Sequence, residues 1–436
     1  MEKSLKTQFD INFKWSGREF GSALDRATLA DVSIAANGFQ AMECYELIPN
    51  SVSPTARLSA YALATWLAAN WWRLRWEPER NNLDWQLSHK VSAAGEGYLW
   101  PDLCFVSDGV AILVKSKASP SGRPEELVRY LNNFETYIPA PDFERGIDNF
   151  IEGVIARVVG MNIGDTHLAG LWSEVLKERR DSELTQQRKL EAMMGFDPDE
   201  SPSELVDELK HAAGEFGINA VEEMAACSGA EALHDAKLLW DVPRQRSTQI
   251  TIPNMFEVKT KIRDGVRGSL VPWQQATDAA RIARETWSLG NGPVSSKDLS
   301  ELFSFDHGLI DEKAEFKTVM AAGYRQKESD EFRVFLNSNY QPNRRFALIR
   351  LVCDHVTAPA GDMLLPASTT ARTYRQKFQR AFAQEFLCPY SELQKQFDVD
   401  QSSDDDIAEA AEIYGVSTFL IKTTLVNKGT LDRAYL

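Results

Sequence analysis

The sequence predicts a multidomain α+β protein, and three observations carry that reading. Strand-like alternation brackets a long helix candidate within residues 1–144. Residues 145–235 keep a helical apolar period. Residues 236–436 mix helices with a strand pattern. The 436 residues suffice for two or three domains with real cores.

In the first region, "FDINFKWS" at 9–16 alternates apolar and polar residues, as a half-buried strand does. "DLCFVSDGVAILVKSK" at 102–117 reads as two strands joined at Ser107-Asp108-Gly109, a hairpin turn rather than a nucleophile elbow. Between them, residues 54–76 read as one helix opened by Ser53-Pro54. Six of the eleven tryptophans fall between 66 and 100, which predicts an aromatic-rich core. The stretch "IPAPDF" at 138–143 reads as a boundary.

In the central region, one helix ends at Gly195. The next is expected to start with Ser201 as N-cap, Pro202 in the first turn and Glu204 as reciprocal partner. The charge-rich block 174–210 reads as a solvated helical face. The third region offers a helix at "PWQQATDAARIARE", a Gly-Asn-Gly-Pro break, and a helix opened by Ser295 or Ser296. A strand at "DEFRVFLNSNY" follows, then the helix "RRFALIRLVCDH" and the helix "ARTYRQKFQRAFAQEFLCP". After the charged "DVDQSSDDD", two short helices close the chain.

Composition narrows the classes. Hydrophobic residues make up 43% and charged residues 25%, as in soluble globular proteins. No apolar run reaches the ~18 residues of a membrane span. The start "MEKSLKTQFDINFKW" lacks an apolar signal core and reads as unprocessed. Five scattered cysteines without a Cys-x-x-Cys pair fit a reducing cytoplasm and argue against a zinc knuckle. A net charge of −15 disfavours duplex DNA as a partner.

Two stretches outside the third region invite a functional reading. "NWWRLRWEPER" at 70–80 interleaves tryptophan with Arg73, Arg75 and Arg80, as a base-stacking surface does. Helical spacing favours a core helix whose arginines lie on indole faces. "GEGYLWPD" at 95–102 is glycine-rich, yet no Lys-Ser/Thr follows, so it is no phosphate loop.

The third region resembles the ImmA/IrrE family of zinc metallopeptidases in the order of its motifs. "PWQQATDAARIARE" resembles the family's opening helix. "FRVFLNSNYQPNRRFALIR" resembles its strand, asparagine turn and entry to the active-site helix. "RAFAQEFLCP" resembles its Phe-Ala-Ala-x-Leu-Leu-x-Pro stretch, and "IAEAAEIYGVSTFLIKTTLVNKGTL" its terminal helix–Val-Ser–helix unit. The resemblance implies a minimal zincin-like domain over 236–436. It also implies a His-Glu-x-x-His helix, with two zinc ligands four apart and a general base between them.

Carried over residue by residue, "RFALIRLVCD" places Arg350 and Asp354 at the histidine positions and Leu351 at the base. The acidic ligand falls at 376–378, occupied by Gln376, Lys377 and Phe378. Arginine cannot ligate a cation, and leucine cannot act as a base. These positions are therefore vestigial, and the expectation is no metal, no cofactor and no peptidase chemistry. No other register restores the motif: His355 has no histidine partner at helical spacing, and His89, His167, His211, His234 and His307 each lack a second histidine within five residues.

Arg350 and Asp354, one turn apart, are expected to pair with each other. The sharper alternative groups Arg345, Arg350, Arg375, Lys377 and Arg380, with Arg344 and Arg372 nearby, into a pocket for a phosphate, nucleotide or acidic peptide. The terminal helices suggest a helix-turn-helix, but "DDDIAEAAE" is acidic where a DNA reader is basic, so packing onto the core is expected. The resemblance implies a regulatory, sensing or scaffold module in stress response, toxin–antitoxin systems or phage defence. Its partner would be a protein of the repressor, antitoxin or toxin class. The rivals are a metallopeptidase with unconventional ligands and a DNA-binding regulator.

Overall fold

The structure, a computed structural model, describes residues 8–17, 22–122, 125–164, 166–266, 269–314, 318–326, 329–397 and 403–432. The first seven residues, and 398–402 of the charged "DVDQSSDDD", lie outside the described residues. The protein is mixed α/β with several small antiparallel sheets. It divides into two compact units, Met1–Val206 and Asp207–Leu436. The division falls inside the helical stretch 145–235 and not at its ends.

In the first unit, β1 (Phe9–Trp15) is followed by α1 (Ala23–Thr28) and β2 (Leu29–Ala36), which pairs with β1. β3 (Phe39–Gln40) and β6 (Ala56–Ser59) also pair with β2. A second sheet sets β4 (Cys44–Glu46) between β5 (Ser51–Ser53) and β9 (Val128–Tyr130). The expected hairpin is present as β7 (Asp102–Ser107) and β8 (Ala111–Lys117), with β10 (Phe134–Pro139) on its other side. At its turn Asp108 Oδ1 accepts Val110 N at 3.1 Å and Ala111 N at 2.9 Å.

The single helix expected over 54–76 is three elements. Ala56–Ser59 pair in register with Leu29–Val32, so they are strand β6. Ser59, not Ser53-Pro54, then caps α2 (Ala60–Ala69), its Oγ accepting Ala62 N at 3.1 Å. Asn70 turns its amide onto Trp66 O at 2.8 Å and separates α2 from α3 (Trp71–Trp76). With α4 (Leu83–His89), these helices bury Trp66, Trp71, Trp72 and Trp85. The residues 138–143 form no linker: Pro139 ends β10 and Ala140 starts α5 (Ala140–Gly160). Its Phe143 and Phe150 pack on Phe9 and Phe13, with ring centroids 5.3 and 5.5 Å apart.

α6 (His167–Arg180) and α7 (Ser182–Met194) complete the unit, α7 ending at Gly195. The charge-rich block here is not simply a solvated face. Arg188 is buried and donates to Glu178, Glu191 and Asp199 at 2.7–2.9 Å. Ser201, expected as N-cap, donates its Oγ to Glu191 at 3.0 Å, and α8 (Ser203–Phe216), which spans the division, begins two residues after it rather than at Pro202.

In the second unit, α9 (Ile218–Ser228) and α10 (Ala232–Gln245) lead into β11 (Thr248–Thr251). Then come α11 (Met255–Gly265), α12 (Pro272–Thr286), α13 (Ser296–Leu302) and α14 (Gly308–Asp311). β12 (Ala321–Tyr324) and β13 (Glu331–Phe335) precede α15 (Gln341–Thr357). β14 (Leu364–Ala367) follows, then α16 (Tyr374–Leu387), α17 (Tyr390–Leu393), α18 (Asp404–Tyr414) and α19 (Thr418–Asn427). The sheet order is β11-β13-β12-β14, antiparallel throughout.

α15 lies on this sheet and packs against α16, which packs in turn against α12. The small stripe Ala276, Ala279, Ala280 and Ala283 lets α12 approach closely. Ile407, Tyr414, Leu420, Ile421 and Leu425 of the terminal pair share one apolar cluster with Leu348 and Phe382, as the packing expectation required. Among the described residues no helix is long and apolar enough to cross a membrane.

Candidate functional site

α15 presents its charged residues inward. Arg344, Arg345, Arg350, Asp354 and His355 are all buried. Two of these arginines hold backbone in place. Arg344 donates to Leu309 O, Leu336 O and Ser338 O, closing the turn before its own helix. Arg345 donates to Val294 O, to Ser296 Oγ at 2.9 Å and to Tyr414 O at 3.4 Å, tying α13 and the end of α18 to α15.

Arg350 is 1% exposed, and its partners are neutral. Its Nη2 donates to Gln376 Oε1 at 2.6 Å, Ser368 O at 2.5 Å and Gln379 Oε1 at 3.2 Å. Its buried Nε has no partner. Burial, with Arg380 close by, pulls the guanidinium down to about 9, against the pull of Asp354. Gln376 is saturated: Oε1 also accepts Ser368 N at 2.9 Å, and Nε2 donates to Pro366 O at 2.9 Å.

Asp354 does not pair with Arg350, contrary to the expectation from spacing. It receives Arg375 Nε at 2.8 Å and Nη2 at 2.7 Å. A guanidinium fork across the interface matches a carboxylate better than a neighbour one turn along the same helix can. Arg375 Nη1 reaches on to Asp362 Oδ2 at 2.8 Å, and Asn219 Nδ2 donates to Asp362 Oδ1 at 3.1 Å. Burial opposes the Arg375 charge, but the two aspartates and Glu223 prevail and hold its pKa above the ordinary arginine value.

Glu223 of α9 closes the cluster from the far side. It accepts Thr373 Oγ1 at 2.8 Å, and Thr373 in turn caps α16 by accepting Gln376 N at 3.2 Å. Burial raises the Glu223 pKa, while Arg375 and the Thr373 hydroxyl oppose the rise. The helix carrying Glu223 is docked at its start, where Met363 N donates to Phe216 O at 2.9 Å. Gly217 there has φ +95° and lies against Asp362, where a Cβ would come within 2.6 Å of the backbone.

The five-residue cationic pocket is therefore not formed. Arg345 serves Val294, Ser296 and Tyr414, and Arg375 serves two aspartates. Arg350, Arg375 and Arg380 do lie together, but Asp354, Asp362 and Glu223 face them. Arg380 donates to the same Ser368 O at 3.3 Å, and burial lowers it to about 10. Lys377 is half-buried on α16.

Leu351 is fully buried in the apolar cluster, and Phe378 belongs to it as well. His355 stacks on Phe332 at 4.0 Å, and its Nε2 lies 2.7 Å from Ser329 O. These residues do not fit zinc. Arg350 is a guanidinium, which cannot ligate a cation, and both Asp354 oxygens are held by Arg375. Among the described residues no three His, Cys, Asp or Glu side chains converge as a metal site requires.

Glu223 and Asp362 gave no sequence signal, because they lie more than a hundred residues apart and come near each other in the fold alone, Asp362 bonded to Asn219 and Glu223 to Thr373. Gln379 was missed for a simpler reason, since it sits one turn beyond Gln376 on the same face. In the first unit, the aromatic–basic stretch is internal. Arg73 pairs with Glu77 at 2.7 Å, Arg75 with Glu144 at 2.5 Å, and Arg75 lies 3.7 Å over the Trp76 ring. No family model, curated protein or solved structure matches this chain.

Proposed function

We propose that the protein is a non-catalytic relative of the ImmA/IrrE metallopeptidases. Its second unit would keep a zincin-like core as a regulatory or scaffold module that binds a partner protein. One observation carries this reading. Arg350, which the resemblance sets at the first histidine, lies 2.6 Å from Gln376, one of the three residues (376–378) in the window it gives the acidic ligand, although 26 positions separate the two in the chain. Two motifs far apart in the chain thus come into contact, which supports the reading. Their side chains do the joining that a metal would otherwise do.

The partner class is proposed by analogy as a repressor, antitoxin or toxin, in stress response or phage defence. A cytoplasmic location goes with it, supported by five free cysteines. An anionic ligand at the emptied site has less support, since three carboxylates already face its three arginines.

The test is a cleavage assay. The purified protein is incubated, with and without added zinc, with proteins encoded beside it, and products are read by mass spectrometry. Intact partners that co-elute with the protein support a binding module. Zinc-dependent fragments would establish the peptidase reading instead. Salt-sensitive retardation of duplex DNA in a gel would favour the DNA-binding one.

A further inference from the structure

An antiparallel sheet with one face on a core usually turns polar residues to water on the other. The sheet β5-β4-β9 in the first unit does not. Its register fixes the faces: Cys44 stands opposite Ser53 and Tyr130, and Cys44 and Tyr130 are buried in the core. Tyr45 stands opposite Val52 and Arg129 and so faces outward with them. One step beyond each end of the β4–β9 ladder, Leu47 N donates to Leu127 O at 2.9 Å and Leu131 N to Glu43 O at 3.0 Å. Leu47, Leu127 and Leu131 therefore share that outward face.

These side chains are open to solvent. Val52 is 58% exposed, Leu127 55%, Leu131 40% and Leu47 36%, while Ile48, in the turn between β4 and β5, is 83% exposed. Isolated exposed leucines are ordinary, but a contiguous apolar face marks an interaction site. Among them sits Arg129. Its Nε is shielded from water and has no hydrogen-bond partner. Glu43, opposite Leu131 on the same face, is held by Asn132 Nδ2 at 2.7 Å, and an unmet guanidinium N–H takes a carboxylate as its best acceptor.

We infer that this face docks a segment of a partner protein that presents aliphatic anchors around an Asp or Glu, the carboxylate pairing with Arg129. A second copy of the chain is the rival occupant that the experiment separates, because Glu43 on this face would offer an acid across a two-fold contact. The inference concerns the first unit and does not rest on the reading of the second.

The experiment selects a random-peptide phage library on the full-length protein, with counter-selection on the Val52→Glu/Leu127→Glu double variant. Thermal melts check that the variant folds; if it melts early, Leu127→Ser replaces it. Enriched peptides are expected to carry aliphatic residues flanking Asp or Glu. The best of them, synthesised, should bind Arg129→Ala at least about tenfold more weakly. Its acid-to-lysine version should prefer Arg129→Glu. Three results overturn the inference: no peptide that distinguishes wild type from the variant, enrichment of basic peptides, or a dimer in sedimentation velocity that Val52→Glu dissociates.

Discussion

Asp354 and Arg375 form a two-pronged ion pair, with Nε and Nη2 of the arginine at 2.8 and 2.7 Å from the two carboxylate oxygens. The pair bolts α15 to α16, and the aspartate is 1% exposed. Removing one partner leaves the other charge buried. Arg375→Ala strands both Asp354 and Asp362 and is expected to cost about 3–5 kcal/mol in urea unfolding. Arg375→Lys, which keeps the charge but loses the fork, should cost less. Equal losses for the two variants would show that the geometry of the pair does not matter.

Arg350 and Gln376 should be energetically coupled. A double-mutant cycle with Arg350→Met and Gln376→Leu is expected to give an interaction energy of roughly 0.5–3 kcal/mol. The double variant should be more stable than the sum of the single losses implies, because neither polar group is then left alone. Strict additivity would mean that the two side chains do not meet.

Two buried groups set opposite pH dependences. His355 is lowered to about 4 by burial, so its neutral form is the folded one. Its contribution is present above the unfolded value near 6.5 and is lost as pH falls toward 4, by about 3 kcal/mol. His355→Gln should flatten wild-type stability over that window in urea titrations. Glu223 is raised by burial, so it binds its proton more readily when folded. Its contribution is full below the unfolded value near 4.5 and is lost as pH rises. Glu223→Gln should therefore gain on wild type with increasing pH. A gain that runs the other way would place Glu223 in a charged, well-solvated setting.

Gly415 ends α18 with φ +60°, and a Cβ there would come within 3.1 Å of the Arg345 guanidinium carbon. Gly415→Ala is expected to lose about 1–2 kcal/mol from the backbone alone. It should also loosen the terminal helices, which amide hydrogen exchange over 404–427 would report.

Local signals were the legible ones. Of the two serines that the sequence offers as the start of α13, Ser295 is the N-cap, in a capping box with Asp298, and the Ser-Asp-Gly turn joins its two strands. The stretch 54–76 misled because apolar density alone does not separate a buried strand from a buried helix. Ala56–Ser59 become strand only through pairing with Leu29–Val32. At the candidate site, spacing on α15 showed that Arg350 and Asp354 share a face. It could not show that each would choose a partner on α16. Side-chain direction and long-range packing decide that, and so does Glu223, which arrives from a helix 150 residues before Thr373.

The most direct measurement is the metal content of the purified protein after dialysis, read by plasma mass spectrometry beside melting curves with zinc and with chelator. A core joined by Arg350, Asp354, Arg375 and Gln376 predicts zinc far below one ion per chain and a melting temperature indifferent to either addition. Near-stoichiometric zinc that survives dialysis, with melting lowered by chelator, would contradict it.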